Sequence, residues 1–163
     1  MATEDSQFYT ARGYALLNQD DSILTPSMED YLEMAYRLGN EKGYTRISDL
    51  AEALNVQPPS ASKMVQKLAE GGYIIYERYG VIEFTKKGLE TGAYLLQRHR
   101  AIEEFLQVLG VKDNILADTE KIEHNISAET YRQITIFLRF MRESPEYKLA
   151  LEKYQIKLAQ KNL

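Results

Sequence analysis

The sequence predicts a mostly helical α+β protein, a winged helix-turn-helix followed by an all-helical part. Three observations predict it. Three capped stretches with helical apolar spacing lie between Thr25 and Gly72. A short β-rich stretch, YIIYERYGVIEFT, follows them. From Lys86 onward every apolar pattern has the helical period.

Residues 1–22 are polar with a small aromatic island, FYTARGYALL, and carry no motif; a short helix and a loose arm both fit them. The first helix opens at TPSMEDYLEMAYRL, with Thr25 as N-cap and Pro26 at the first helical position. Met28, Tyr31, Leu32, Ala35, Tyr36 and Leu38 follow its spacing, and NEKGY ends it. RISDLAEALNV gives a second helix with Ile47, Leu50, Ala51 and Leu54 inward. PPSASKMVQKLAEGG gives a third, started by Pro58 or Pro59 and ended by Gly71–Gly72, with Ala61, Met64, Val65 and Leu68 inside. The hairpin turns near Tyr79–Gly80. A long helix then runs to Gly110, KDNILADTEKIEHN forms another, Ser127 caps AETYRQITIFLRFM, and Ser144 with Pro145 starts the last. Tyr131, Ile134, Leu138 and Met141, then Tyr147, Ala150, Leu151, Tyr154 and Leu158, form apolar stripes suited to an internal bundle or a dimer seam.

A length of 163 residues suits one large domain or two small ones. The expected division is an extension at 1–22, a winged helix at 23–86 and a helical part at 87–163. An apolar content of 44% argues for a folded chain. No run of about 18 apolar residues predicts a membrane span, and no basic-then-apolar leader opens the chain. Cys is absent, which removes disulfides, thiolate metal sites and thiol catalysis, and a cytoplasmic location fits. The net charge is −4, yet residues 42–87 carry seven basic groups against five acids, so the acidity lies elsewhere.

Three short helices and a hairpin, in that order, place the third helix in a DNA major groove. The candidate contacts are Gln57, Ser60, Ser62, Lys63, Gln66 and Lys67 around that helix and Arg78 on the hairpin. These residue types reach phosphates and base edges, although any small α+β domain can carry them as solvated positions. Order, capping and local charge together favour double-stranded DNA.

A second constellation is acidic. EKIEHNIS places Glu120, Glu123 and His124 within an arc of roughly 100° on a helical wheel. Ile115, Ile122 and Ile126 occupy a different, narrow arc, so the isoleucines are expected to pack one way and the acids to look another. Asp30 and Glu33 share a face of the first helix. His99 sits within the apolar stripe of Leu95, Ile102 and Leu106. Taken singly, a helix-start acid, solvated glutamates and a core histidine explain these residues. Together they make a candidate metal site of oxygen and imidazole donors that suits Mn²⁺ and Fe²⁺ and tolerates Zn²⁺ or Co²⁺. Four carboxylates call for two divalent ions to reach neutrality, so two ions per chain and a bridging glutamate are expected.

TPSMEDYLEMAY, ISDLAEALNVQPPSASKMVQKL, the RH at 98–99 and EKIEH closely resemble the diphtheria-toxin-repressor family of metal-dependent transcription regulators, within it the manganese transport regulator branch. The resemblance covers about residues 24–142 and finds the expected type at all six positions: Asp30, Glu33, His99, Glu120, Glu123 and His124. Iron-sensing relatives carry Met in place of Asp30 and Cys in place of Glu120, so this chain has hard oxygen where they have soft sulfur. Fe²⁺, Co²⁺, Zn²⁺ and Cd²⁺ are expected as substitutes for Mn²⁺. The chain stops after the helices, where the iron branch adds an SH3-like domain; residues 1–22 are a departure from the typical manganese regulator. The resemblance implies a homodimer held by the C-terminal helices, with no membrane, no organic cofactor and no enzymatic activity, that represses manganese-uptake genes. The rival readings are a dinuclear carboxylate metalloenzyme and a winged-helix regulator with an organic effector. Bimetal helical bundles use Glu-x-x-His twice, and this chain has only one Glu-x-x-Glu-His.

Overall fold

The computed structural model of the protein describes residues 24–76 and 80–161. The extension at 1–22 and Arg78 therefore lie outside the described residues. Helix α1 spans Pro26–Gly39, β1 Tyr44–Arg46, α2 Ile47–Ala53 and α3 Pro58–Glu70. Strands β2 (Ile74–Tyr76) and β3 (Val81–Phe84) precede α4 (Lys86–Val108), α5 (Ile115–Glu123), α6 (Ala128–Glu143) and α7 (Pro145–Lys161). Among the described residues no helix is long and apolar enough to cross a membrane.

The predicted caps form. Thr25 accepts a hydrogen bond from the Met28 amide, and Ser127 from the Thr130 amide. Gly72 leaves α3 at φ +73°, a left-handed position that glycine takes without strain. One strand was not legible. Tyr44–Arg46 pairs antiparallel with β3, Thr45 opposite Ile82, making a three-stranded sheet in the order β1-β3-β2. Arg46 thus ends a strand, and α2 is shorter at both ends than RISDLAEALNV suggests, stopping before Asn55, which turns left-handed at φ 52°.

Leu32, Ala35, Leu50, Ala61, Val65, Leu68, Ile82 and Leu95 form the winged-helix core. Met64, expected inside, is only half-buried. Helix α4 joins both halves of the molecule: its N-terminal stretch packs on α1, and further along it packs on α5 and α6. Two features fix its start. Thr85 accepts from the Gly88 amide while its hydroxyl donates to the Gly72 and Tyr73 carbonyls. At Gly88 a side chain would meet the Tyr73 carbonyl oxygen at 1.8 Å. Ile102, Leu106, Ile134, Leu138 and Met141 bury a second apolar layer between α4 and α6.

Helix α5 corrects the wheel reading. It begins at Ile115 rather than Lys112, after Asn114 turns left-handed at φ 60°. Its buried residues are Thr119 and Glu123; Ile115, Ile122 and Ile126 are only half-buried. The inward direction is set by α4, which presents His99, and not by the polarity of α5 itself. Helix α7 buries none of its residues, and Tyr147, Leu149, Tyr154, Ile156 and Leu158 stand exposed on it.

Candidate metal centre

The six predicted donors come from three helices. Asp30 and Glu33 ride on α1, His99 on the middle of α4, Glu120 and Glu123 on α5, and His124 is the C-cap of α5. The fold brings all six together in two groups. Asp30, Glu120, Glu123 and His124 each offer one donor atom, all within 4.8 Å of one another; Glu33, His99 and Glu123 do the same. Glu123 belongs to both. Its Oε2 lies 3.0 Å from His99 Nδ1, and its Oε1 lies 3.6 Å from His124 Nε2. The floor of the site is deep, with Glu123 1% and His99 3% exposed. Asp30 and Glu120 are the open side, next to a cavity of about 250 Å³ that Met34 and Leu54 also line.

The electrostatics follow from crowding acids around two imidazoles. The hydrogen bond to Glu123 raises the His99 pKa against the downward pull of burial. The Asp30 and Glu29 carboxylates on either side of His124 push its pKa up to about 10. Burial, and then the nearby Glu123 charge, raises the Glu120 carboxyl. The centre therefore favours positive charge at the two rings, the same sign that a divalent cation would bring.

One atom tests the fit to a metal. His124 Nε2 is buried, and no described group is angled to form a hydrogen bond with it. Asp30 Oδ1 lies 2.8 Å away, close enough for a charge pair but poorly aligned as an acceptor. A nitrogen aimed into a carboxylate-lined space, with carboxylates and a second imidazole beside it, fits an oxygen-and-nitrogen site for a borderline-hard divalent ion.

Sequence reading missed three neighbours. Glu29, one residue before Asp30, accepts hydrogen bonds from His124 and from Arg98. Arg98 is buried beside His99. Its signal was a charge flanked by the buried Leu95 and Ile102 at helical spacing, which demands a partner nearby. Arg37 holds Glu33 Oε1 through Nε at 2.9 Å and through Nη2.

The candidate DNA contacts separate cleanly from this centre. Gln57, Ser60, Lys63, Gln66 and Lys67 are exposed along α3, and Ser62 is half-buried. The opposite face, Ala61, Val65 and Leu68, anchors α3 in the core.

Residues 23–82 match the iron dependent repressor N-terminal DNA binding domain, and residues 85–150 match the iron dependent repressor metal binding and dimerisation domain. The HTH-type transcriptional regulator MntR of Bacillus pumilus is 46% identical over 141 residues, covering 86% of this chain and 98% of the relative. Among solved structures, the manganese regulator SloR is similar with a TM-score of 0.62 and 31% identity over 72% of this chain. A manganese-dependent transcriptional repressor in complex with manganese follows at 0.59 and 29% over 69% of this chain. The chain spans about half the length of these two solved relatives, 55% and 53%.

Proposed function

The chain belongs to the iron-dependent repressor family, a metal-responsive DNA-binding transcriptional repressor rather than an enzyme, and on that premise we propose that manganese is its signal. Asp30, Glu33, His99, Glu120, Glu123 and His124 would hold two Mn²⁺ ions per chain. The observation that carries this reading is Glu123, whose two oxygens face the two donor groups. Four carboxylates balance two divalent ions, and the absence of cysteine leaves no thiolate to favour softer ones. Fe²⁺, Co²⁺, Zn²⁺ and Cd²⁺ are expected as substitutes.

The division at residues 86–87 sets up the mechanism, because Thr85 and α4 form the junction between reading head and sensor. Asp30 and Glu33 belong to the same helix whose Leu32 and Ala35 anchor the winged-helix core. Their partners belong to α4 and α5. Without metal, protonated His124 ties α5 to α1 through Glu29 and Asp30 while four carboxylates stay crowded at the junction; divalent ions held by those carboxylates would replace the protons and draw α1, α4 and α5 more tightly together. The donors then hold each α3 at one orientation. Glu29, Arg98 and Arg37 hold parts of this arrangement by ion pairs of their own.

Two copies joined through α6 and α7, where Ile136, Phe140, Tyr147 and Tyr154 lie exposed, would present two α3 helices at a half-site spacing of about 34 Å or a multiple. Moving a two-state equilibrium from mostly incompetent to mostly competent takes roughly 5 kcal/mol. By reciprocity, operator DNA tightens metal binding by the factor that metal tightens DNA binding. The product is a cytoplasmic repressor of manganese-uptake genes. Parallel operator titrations with Mn²⁺, Fe²⁺, Co²⁺ and Zn²⁺ test it. Metal-dependent operator binding with Mn²⁺ effective at the occupancy of two ions is expected; full-strength operator binding without metal would refute it and favour an organic effector.

A further inference from the structure

Three charged side chains from three helices form a chain beside the metal centre. Arg98 on α4 donates from Nη2 to Glu29 Oε2 at 2.6 Å, and Nη1 lies 3.5 Å from Oε1. The same Oε2 lies 2.7 Å from His124 Nδ1. Tyr94 flanks the Arg98 guanidinium at 5.9 Å, and Tyr131 meets Tyr94 edge-on at 5.6 Å. Glu29 belongs to neither donor group, and Arg98 Nε has no hydrogen-bond partner among the described residues. A part-buried ion pair whose arginine keeps a buried, unsatisfied Nε is an expensive way to gain stability. It is an effective way to fix an imidazole.

The second nitrogen explains the arrangement. With Nδ1 tied to Glu29, Nε2 turns toward Asp30 Oδ1 and Glu123 Oε1. A metal-binding histidine needs one nitrogen free and the other held as a donor, and the held one decides both tautomer and ring angle.

We infer that Glu29, braced by Arg98, is a positioning residue for the metal centre: it retains the proton on His124 Nδ1 and aims Nε2 into the donor cluster. The inference rests on the metal reading above and deepens it. Arg98 and Glu29 also join α4 to α1 without metal, so the pair pre-aligns the junction that the donors later lock. Because one oxygen, Oε2, receives both donors, a glutamine carbonyl can take its place, with its amide where Arg98 Nη1 makes only the 3.5 Å contact.

The test is calorimetric Mn²⁺ titration of the full chain, with nitrogen NMR of His124 in Zn²⁺-loaded protein. Glu29→Ala should weaken one of the two ions by about 10- to 100-fold, the usual effect of losing an outer partner of a ligand. Glu29→Gln should stay within about threefold of wild type, since it keeps the shared acceptor. Should Glu29→Ala fail to fold around an uncompensated Arg98, the double variant Glu29→Met/Arg98→Met removes both charges and should show the same one-ion loss. In Zn²⁺-loaded wild type, Nδ1 should carry the proton and Nε2 the metal. Wild-type affinity for both ions in the folded double variant, or metal on Nδ1, overturns the inference. A wild-type chain that binds no Mn²⁺ overturns instead the manganese reading on which it rests.

Discussion

Gly92 is where the junction can be pried apart without touching a donor. It lies on α4 at the crossing with α1, and an added Cβ would sit 2.7 Å from Tyr36 Cβ and 2.8 and 2.9 Å from two ring carbons. Ordinary contact begins at 3.4 Å, so α1 and α4 must separate by roughly 0.7 to 1 Å. Tyr36 Cβ cannot swing aside, because the backbone fixes it. Glu33 lies one turn before Tyr36 on the same helix, and Asp30 nearly one turn before that. The separation therefore carries both carboxylates away from His99, Glu123 and His124, whereas metal–ligand distances tolerate only about 0.2 Å. Gly92→Ala gains about 1 kcal/mol of helix propensity and loses about 1–3 kcal/mol to overpacking. Metal-free stability should fall by about 0–2 kcal/mol, while Mn²⁺ affinity should fall about tenfold or more. Urea unfolding of metal-free protein, Mn²⁺ calorimetry and operator titration read the three quantities. A variant more stable by the full propensity gain, with unchanged Mn²⁺ affinity, would show that this close approach does not set the donor geometry.

Four further outcomes are expected. Glu123→Gln should weaken both ions together by at least about tenfold each, whereas Asp30→Asn should weaken mainly one; a loss confined to one ion in Glu123→Gln would remove the shared carboxylate from the argument. Glu120→Cys should shift preference in the operator assay toward Zn²⁺ or Cd²⁺, and an unchanged order of metals would count against ligand hardness as the selector. Lys63→Ala, on the exposed face of α3, should weaken operator binding while free-protein metal affinity stays near wild type; a large loss of metal affinity would deny the separation of reading head from sensor. The His124 pKa is raised to about 10, so its contribution to metal-free stability is complete below the ordinary value near 6.5 and is lost as pH rises toward 10. The urea midpoint of metal-free protein should drop across that window and drop less in His124→Gln, while Mn²⁺ affinity should rise with pH as fewer protons need displacing; equal pH profiles for the two proteins would refute the assignment.

Some of the site was legible because its rules are local. Thr25, Gly72 and Ser127 punctuate helices through bonds to residues a few positions away, and those caps formed as read. His99 fell in a stripe of Leu95, Ile102 and Leu106, and all four are buried. Strand β1 escaped notice because Tyr44–Arg46 is short and its partner Val81–Glu83 lies beyond two helices. The acids of α5 misled the wheel for a related reason. A lone helix buries its isoleucines, but this one buries Glu123 because His99 waits on α4 to receive it.

The amino-acid sequence alone determined the order of the elements other than β1 and the kind of donors: four carboxylates and two imidazoles, none of them sulfur, with Asp30 and Glu33 ahead of the basic reading helix and the other four behind it. Only the tertiary structure decided that both oxygens of one glutamate face different groups, and that Glu29 and Arg98 hold the ring of His124. Composition and helical period describe what each segment carries, but the direction in which a charged side chain is buried depends on the partner supplied by another segment, and that partner exists only once α1, α4 and α5 have packed.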